Sequence, residues 1–310
     1  MPLYTSKRTI LVKAETTYGT DPTPTGTANA VLCKNLDITP METELASRDL
    51  VRPYFGASEQ YVAGAYVRVT FDVEMQGIGT AGTAPAYDAL LKGCGLASTV
   101  AAGTSVTYAP ISANFSSVTI YYNVSGVLHK VTGARGNLEM VIEAGQIPLY
   151  RFTFLGLYKA PTDTASPTVD YTNYKAPNVA NSDNTPTFAL HSYSGVLQSL
   201  NINFNNNLSY RTLIGAEDIQ LSDRSITGTA VIEAPTIATK DFFSLGLSTT
   251  VGSLSLIHGK TAGSKVELSS SRVNISNPAY SDLNGITMLS LPLQFVPSSS
   301  GNDELSIIVK

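Results

Sequence analysis

Tryptophan is missing from the 310-residue chain, cysteine occurs twice and histidine three times. Cys33 and Cys94 are too few for a disulfide framework and are not spaced as a metal or redox pair, so each is expected to be a small apolar filler. His129, His191 and His258 lie in separate segments with no carboxylate or cysteine at ligand spacing, which leaves no metal site and no general base to build a reaction on. Charge is scarce too: 14% of residues are charged, 20 basic and 24 acidic, for a net charge of −4. That balance supplies no electropositive surface for nucleic acid. No apolar run approaches the ~20 residues of a membrane-spanning helix. Met1–Arg8 lacks the apolar core of a signal peptide, so folding in a cytoplasm is expected.

What is present is enough apolar material for a core, 43% of residues, laid out with a period of two. From Tyr66 to Met75 the residues Val67, Val69, Phe71, Val73 and Met75 alternate with Arg68, Thr70, Asp72 and Glu74, the pattern of a strand with one wet face. The same alternation recurs at 118–122, 137–143, 149–157, 200–204, 226–233, 254–257, 273–275, 288–295 and 305–309. Helix is scarce; the best candidate, Ala86–Lys92, is introduced by Pro85 and stopped by Gly93. Many short strands between Ser, Thr, Asn and Gly turns predict an all-β chain of sandwich or barrel type.

Between Lys159 and Thr187 the composition turns to Pro, Thr, Asn and Asp without periodicity, an extended linker rather than a core element. It separates two stretches that resemble each other. Asn35-Leu36-Asp37-Ile38 parallels Ser199-Leu200-Asn201-Ile202, and at an offset of 159 residues Val67 meets Ile226, Phe71 meets Ala230 and Val73-Glu74 meets Ile232-Glu233. The expected organisation is an N-terminal arm (1–30), a first β-sandwich (31–158), the linker (159–187) and a second β-sandwich (188–310), each sandwich with one short helix. Arm residues 16–29 and the linker are expected to lie on neighbouring subunits and to order on assembly.

Catalytic signatures are missing. Gly77-Ile78-Gly79-Thr80-Ala81-Gly82 satisfies G-x-G-x-x-G, but Pro85 interrupts the required helix and no acid follows at the required distance, so a loop is expected. Two connections are too apolar for plain loops: Asp49–Glu59, with Leu50, Val51, Arg52, Pro53, Tyr54 and Phe55, and Thr212–Ile219, with Leu213, Ile214, Glu217 and Asp218. Their recurrence at the same place in both halves points to a partner that covers them.

Two further segments are similar to a known family. Lys13-Ala14-Glu15-Thr16-Thr17-Tyr18-Gly19-Thr20-Asp21-Pro22-Thr23-Pro24 resembles the amino-terminal arm of tail tube proteins of long-tailed bacteriophages, and Pro297-Ser298-Ser299-Ser300-Gly301-Asn302-Asp303-Glu304-Leu305 resembles their carboxy terminus. The resemblance implies a virion protein, assembled in the host cytoplasm, that stacks as rings into a hollow conduit for DNA ejection. Its partners would be copies of itself, a tape measure protein, the tail terminator and tip proteins, and passing double-stranded DNA bound without specificity; no cofactor is implied. Family members usually carry one sandwich per chain in hexameric rings, so a duplicated chain implies a trimeric ring of pseudo-sixfold symmetry. The two apolar loops then become inter-ring contacts. The polar strand faces with Asp72, Glu74, Glu233, Glu139 and Glu143 become candidates for the lumen, where acidic walls repel DNA phosphates and basic ones would hold them. A carbohydrate-binding or adhesin-type β-sandwich is the alternative; the lack of Trp and of a signal peptide tells against it.

Overall fold

Each segment with an alternating pattern overlaps a strand in the computed structural model, which describes residues 3–248 and 250–310 and is 51% strand and 5% helix. The first part of the chain contains β1 (Arg8–Ala14), α1 (Gly26–Asn29), β2 (Ala30–Val31), β3 (Lys34–Ser47), β4 (Gln60–Glu74), α2 (Asp88–Gly93), β5 (Leu96–Ala101), β6 (Ser105–Pro110), β7 (Val118–Val124), β8 (Val127–Glu143), β9 (Leu149–Tyr158) and β10 (Thr162–Asp163). The second contains β11 (Thr187–Leu190), β12 (Leu197–Asn203), β13 (Asn207–Leu213), β14 (Ala216–Asp223), β15 (Thr227–Glu233), α3 (Phe242–Leu247), β16 (Gly252–His258), β17 (Val266–Ile275), β18 (Ala279–Leu283), β19 (Ile286–Phe295) and β20 (Ser306–Val309). The expected helix is α2, where Lys92 reaches back one turn to Asp88 at 2.8 Å. In α3 the Asp241 side chain caps the Ser244 amide at 2.9 Å.

One sheet runs through both halves. Its antiparallel order is β3–β4–β9–β8–β12–β15–β19, and the end of β17 together with β18 completes its far edge on β19. Because side chains alternate across a strand, one face carries Val69, Phe71, Phe152, Phe154, Met140 and their neighbours into the core. The Phe71 ring lies 5.6 Å from that of Phe152 and 6.1 Å from that of Phe154. A second layer, β5–β6–β20–β17–β16–β11 with β2–β1–β7–β8 beside it, contributes inward residues to the same apolar cluster. Strands β8 and β17 serve both layers, each shifting register part-way, between Thr132 and Arg135 in β8. Such a bulge bends a strand from one sheet into another.

The two halves pair their strands in the same order. The first reads β1–β7–β8–β9–β4–β3 with β10 returning to the start of β8. In the second the order is β11–β16–β17–β19–β15–β12, with β20 returning to the start of β17. They are not separate bodies joined by a tether. Strand β8 pairs with β12 over Glu139–Glu143, and β6 pairs with β20. The G-x-G-x-x-G segment is a loop, and its glycines serve contact between halves: a Cβ on Gly77 would fall 2.0 Å from the Gly263 carbonyl oxygen, and the Gly79 amide donates to that oxygen at 3.0 Å.

Residues 16–29 and 159–187 differ from the expectation, since both lie on their own chain. The Glu15 carboxylate accepts hydrogen bonds from Ser117, Thr119, Gly133 and Gly19 at 2.6–2.8 Å, which fixes the start of the first segment. The Gly26 carbonyl accepts from the Asp170 amide at 3.1 Å, so the two segments also brace each other. Val169 and Tyr171 pack on Leu11, Ala30, Tyr121 and Leu128, and Ala180 is buried. A few anchors at irregular spacing hold these segments, and periodicity does not register them.

At the seam between halves the Arg224 guanidinium donates to Glu304 at 2.6 Å and to the Ile111 carbonyl at 2.8 Å, with both charged side chains about nine-tenths buried. Removing one member of such a pair strands the other charge. Arg224→Ala is therefore expected to cost about 3–5 kcal/mol of unfolding free energy in urea titrations. Arg211→Ala, which breaks an exposed pair with Asp218, should cost under about 1 kcal/mol. Equal, small shifts for both would show that the seam carries no special weight.

Candidate functional site

The core-averted face of the through-sheet carries polar side chains on every strand, with Val141, Leu149, Leu155, Leu157, Val231 and Met288 among them. Register places Lys34, Asp37, Thr39 and Glu42 of β3 beside Asp72, Thr70, Arg68 and Tyr66 of β4. On β9 and β8 it continues with Arg151 and Thr153, Glu139 and Asn137. In the second half it carries Ser199, Asn201 and Asn203, then Thr227, Thr229 and Glu233. Carboxylates (Asp37, Glu42, Asp72, Glu74, Glu139, Glu143 and Glu233) outnumber cations (Lys34, Arg68, Arg135 and Arg151) on it.

The candidate acids on this face differ in state. Glu143 and Glu233 are exposed and Glu74 is half-buried. Asp72 corrects the sequence expectation: it lies on the polar side as parity requires, but it is 4% exposed. Asn35 donates to it at 2.8 Å and Arg151 at 3.3 Å, and these longer side chains cover it. Arg151 also meets Glu139 at 3.1 Å, and Asn201 donates to Glu139 at 2.8 Å from across the β8–β12 junction. Near the β3 edge, Arg68 and Tyr66 both donate to Glu42, and those hydrogen bonds hold its carboxyl below the usual range.

Register also defines two ends of this sheet. Glu74, Leu149, Glu143, Ser199, Glu233 and Met288 lie toward one end, the foot; Tyr66, Leu157, Asn203, Thr227 and Gln294 lie toward the other. Beyond that second end project the β3–β4 and β13–β14 hairpins. In the first, Leu50, Val51, Pro53, Tyr54 and Phe55 are exposed, Val51 and Phe55 completely, while Arg52 is half-buried beside Glu59. The second is tighter than expected: Leu213 and Ile214 alone form an apolar tip around Gly215 (φ 90°), and Ile214 is fully exposed. Glu217 and Asp218 belong to β14, where they accept from Tyr210 and Arg211, and Ile219 is buried.

Sequence reasoning missed how the β13–β14 hairpin is held against the first half. Asn206, at the break between β12 and β13, donates to the Cys94 and Gly136 carbonyls at 2.8 and 2.9 Å. Tyr18 crosses below the hairpin, accepting from the Ile219 amide at 2.6 Å, with the Arg135 guanidinium 5.0 Å above its ring. Tyr210 stacks on Tyr66 at 5.0 Å, where a Cβ on Gly64 would fall 2.2 Å from the Tyr210 oxygen. Burial and its hydrogen bond to Glu217 push the Tyr210 hydroxyl up to about 12. Nothing in the sequence marks these contacts, because Tyr18, Tyr66 and Tyr210 are far apart in the chain and come together only through the fold.

His191 and His258 are buried, with ring nitrogens 2.8 Å from the Val273 carbonyl and 2.9 Å from the Thr185 hydroxyl. Among the described residues no three His, Cys, Asp or Glu side chains gather as a metal site, and no helix is long and apolar enough to cross a membrane. The extended features are therefore a two-half polar sheet face and two apolar hairpin tips. The family model described as phage tail tube protein matches residues 5–295. The chain belongs to the phage tail tube protein family. No curated protein matches it. As a structural component of a bacteriophage tail tube, hence of the virion, this tail tube protein acts through surfaces that join copies.

Tyr18→Phe removes the oxygen that satisfies the Ile219 amide while keeping the ring under Arg135. The expected outcome is a loss of about 1 kcal/mol and faster hydrogen exchange over residues 207–223, with β4, β9 and β8 unchanged. Uniform acceleration across the chain would contradict a local clamp.

Proposed function

We propose that this tail tube protein is a duplicated chain, three copies of which close a ring of pseudo-sixfold symmetry, and that the rings stack into the conduit through which double-stranded DNA leaves the virion. The observation that carries the reading is the β8–β12 junction, a ready example of how one half joins the next. In the shared pairing order β17 with β18 corresponds to β8, and β3 corresponds to β12. β18 lies along one edge of the through-sheet and β3 along the other. Repeating the junction between chains therefore sets Ala279–Leu283 of one copy antiparallel to Asn35–Thr39 of the next and closes the sheet. An open edge is an aggregation hazard, and closure removes it with main-chain hydrogen bonds alone.

In the closed ring the through-sheet forms the wall of the bore, with its polar, net acidic face inward and its apolar face against the second layer. Exposed Glu143 and Glu233 repel DNA phosphates over a Debye length of ~8 Å at physiological salt, so the polymer slides without being held. The apolar hairpin tips, left bare in one chain, are covered when rings stack. The tape measure protein, terminator and tip proteins implied by the resemblance meet the bore and the ends of the tube.

Three outcomes test this reading. Native mass spectrometry of rings released from tubes should give the mass of three chains; six chains would end the duplication reading. Tyr54→Ser with Phe55→Ser should leave folded rings that no longer polymerise, since buried aromatic anchors contribute about 2 kcal/mol or more each; tubes of normal length would reject the tips as inter-ring contacts. Glu143→Lys should assemble normally yet slow genome ejection, more so at low salt; unchanged ejection from intact tubes would contradict an inward acidic face.

A further inference from the structure

The tips need a receiving surface, and neither the sequence nor the family assigns one. β4 alone has 15 residues, roughly 50 Å at ~3.3 Å per residue, so the foot of a chain lies beyond the reach of its own tips. At that foot two recesses flank the start of β12. One, of about 480 Å³, is lined by Ile142, Ala144, Pro186, Phe188, Val196 and Leu197 among others; its neighbour, of about 320 Å³, shares Val196 and Leu197 and adds Leu283, Ile286 and Met288. Val196 (66% exposed), Ile286 (53%) and Leu283 (38%) stand uncovered on their rims.

We infer that this foot surface, centred on Val196, Leu283 and Ile286, is the socket for the apolar hairpin tips of a second copy in the next ring. The inference rests on the stacking reading above and adds the face that completes it. Two properties fix the occupant. The socket lies at the end of the through-sheet opposite the tips, so translating one copy along the strands brings the tips of one onto the foot of the next. The chemistry matches: Val51, Tyr54, Phe55 and Ile214 are exposed apolar groups, and each recess is large enough to bury an aromatic ring. A tip-to-foot contact is heterologous, joining unlike surfaces of identical copies, and such contacts propagate as open filaments.

The test uses Val196→Asp with Ile286→Asp in the full chain, beside wild type and Tyr54→Ser with Phe55→Ser. Both residues are on the rim, so the variant should keep the wild-type circular dichroism and ring mass. It should form no tubes, and labelled variant rings should add to only one end of wild-type tubes, the tip variant adding only to the other. Tubes built from the foot variant at wild-type length would overturn the socket while leaving stacking intact. Wild-type rings that never polymerise would instead overturn the stacking reading, and the socket with it. Should the double variant fail to fold, mixed Phe55→Cys and Val196→Cys preparations give an independent readout, because native Cys94 is buried and Cys33 half-buried. Oxidised mixed tubes should yield covalent dimers between unlike chains. Tubes without such dimers would overturn the proposal.

Discussion

Every strand edge must end in a hydrogen-bonded partner or in water, and the β8–β12 pairing is where that constraint shapes the whole molecule. Through this junction two halves with the same pairing order become a single sheet with two edges instead of two sheets with four. The second layer follows the same logic at β6–β20. Bulges in β8 and β17 let one strand serve both layers, so a continuous core fills the space between them. Gly77 and Gly263 then bring backbone against backbone at the seam, and the buried Arg224–Glu304 pair locks it.

From this sheet the functional surfaces follow by parity. Alternation sends Phe71 and Phe152 to the core and leaves Asp72, Glu139 and Arg151 on the other side, so a continuous sheet carries charged and polar side chains on one face across both halves. In the middle of that face the charges are paired, which limits their field. Toward the foot Glu143 and Glu233 stand in solvent. The hairpins leave from the end opposite the foot, giving the chain a polarity along the strand axis that suits head-to-tail growth.

Strand positions were legible because a half-buried strand writes its burial into the sequence, as Val67 to Met75 does. Lost were elements whose residues face neither a core nor a regular solvent face. Strands β13 and β14 lie mostly exposed on the first half, held by Asn206, Tyr18 and Tyr210, and their alternation, Leu208 with Tyr210 and Ile219 with Leu221, is short. Tyr121 and Glu15 are likewise ordinary residues in the sequence, yet they anchor segments that composition assigns to an arm and a linker. Parity set Asp72 on the correct face but gave no account of its cover, because Asn35 and Arg151 come from different strands. The apolar tips were visible as a conflict between composition and place. Their receiving surface was not, since Val196 is far in the chain from Leu283 and Ile286 and meets them only through the fold.

The most direct measurement is a reconstruction of the assembled tube at a resolution that separates strands. The expected map has three chains per ring, Ala279–Leu283 hydrogen-bonded to Asn35–Thr39 of the neighbouring chain, and Glu143 and Glu233 directed at the bore. A ring in which these strands stay apart, or in which the polar face of the through-sheet points outward, would contradict the reading of the sheet as the wall of the conduit.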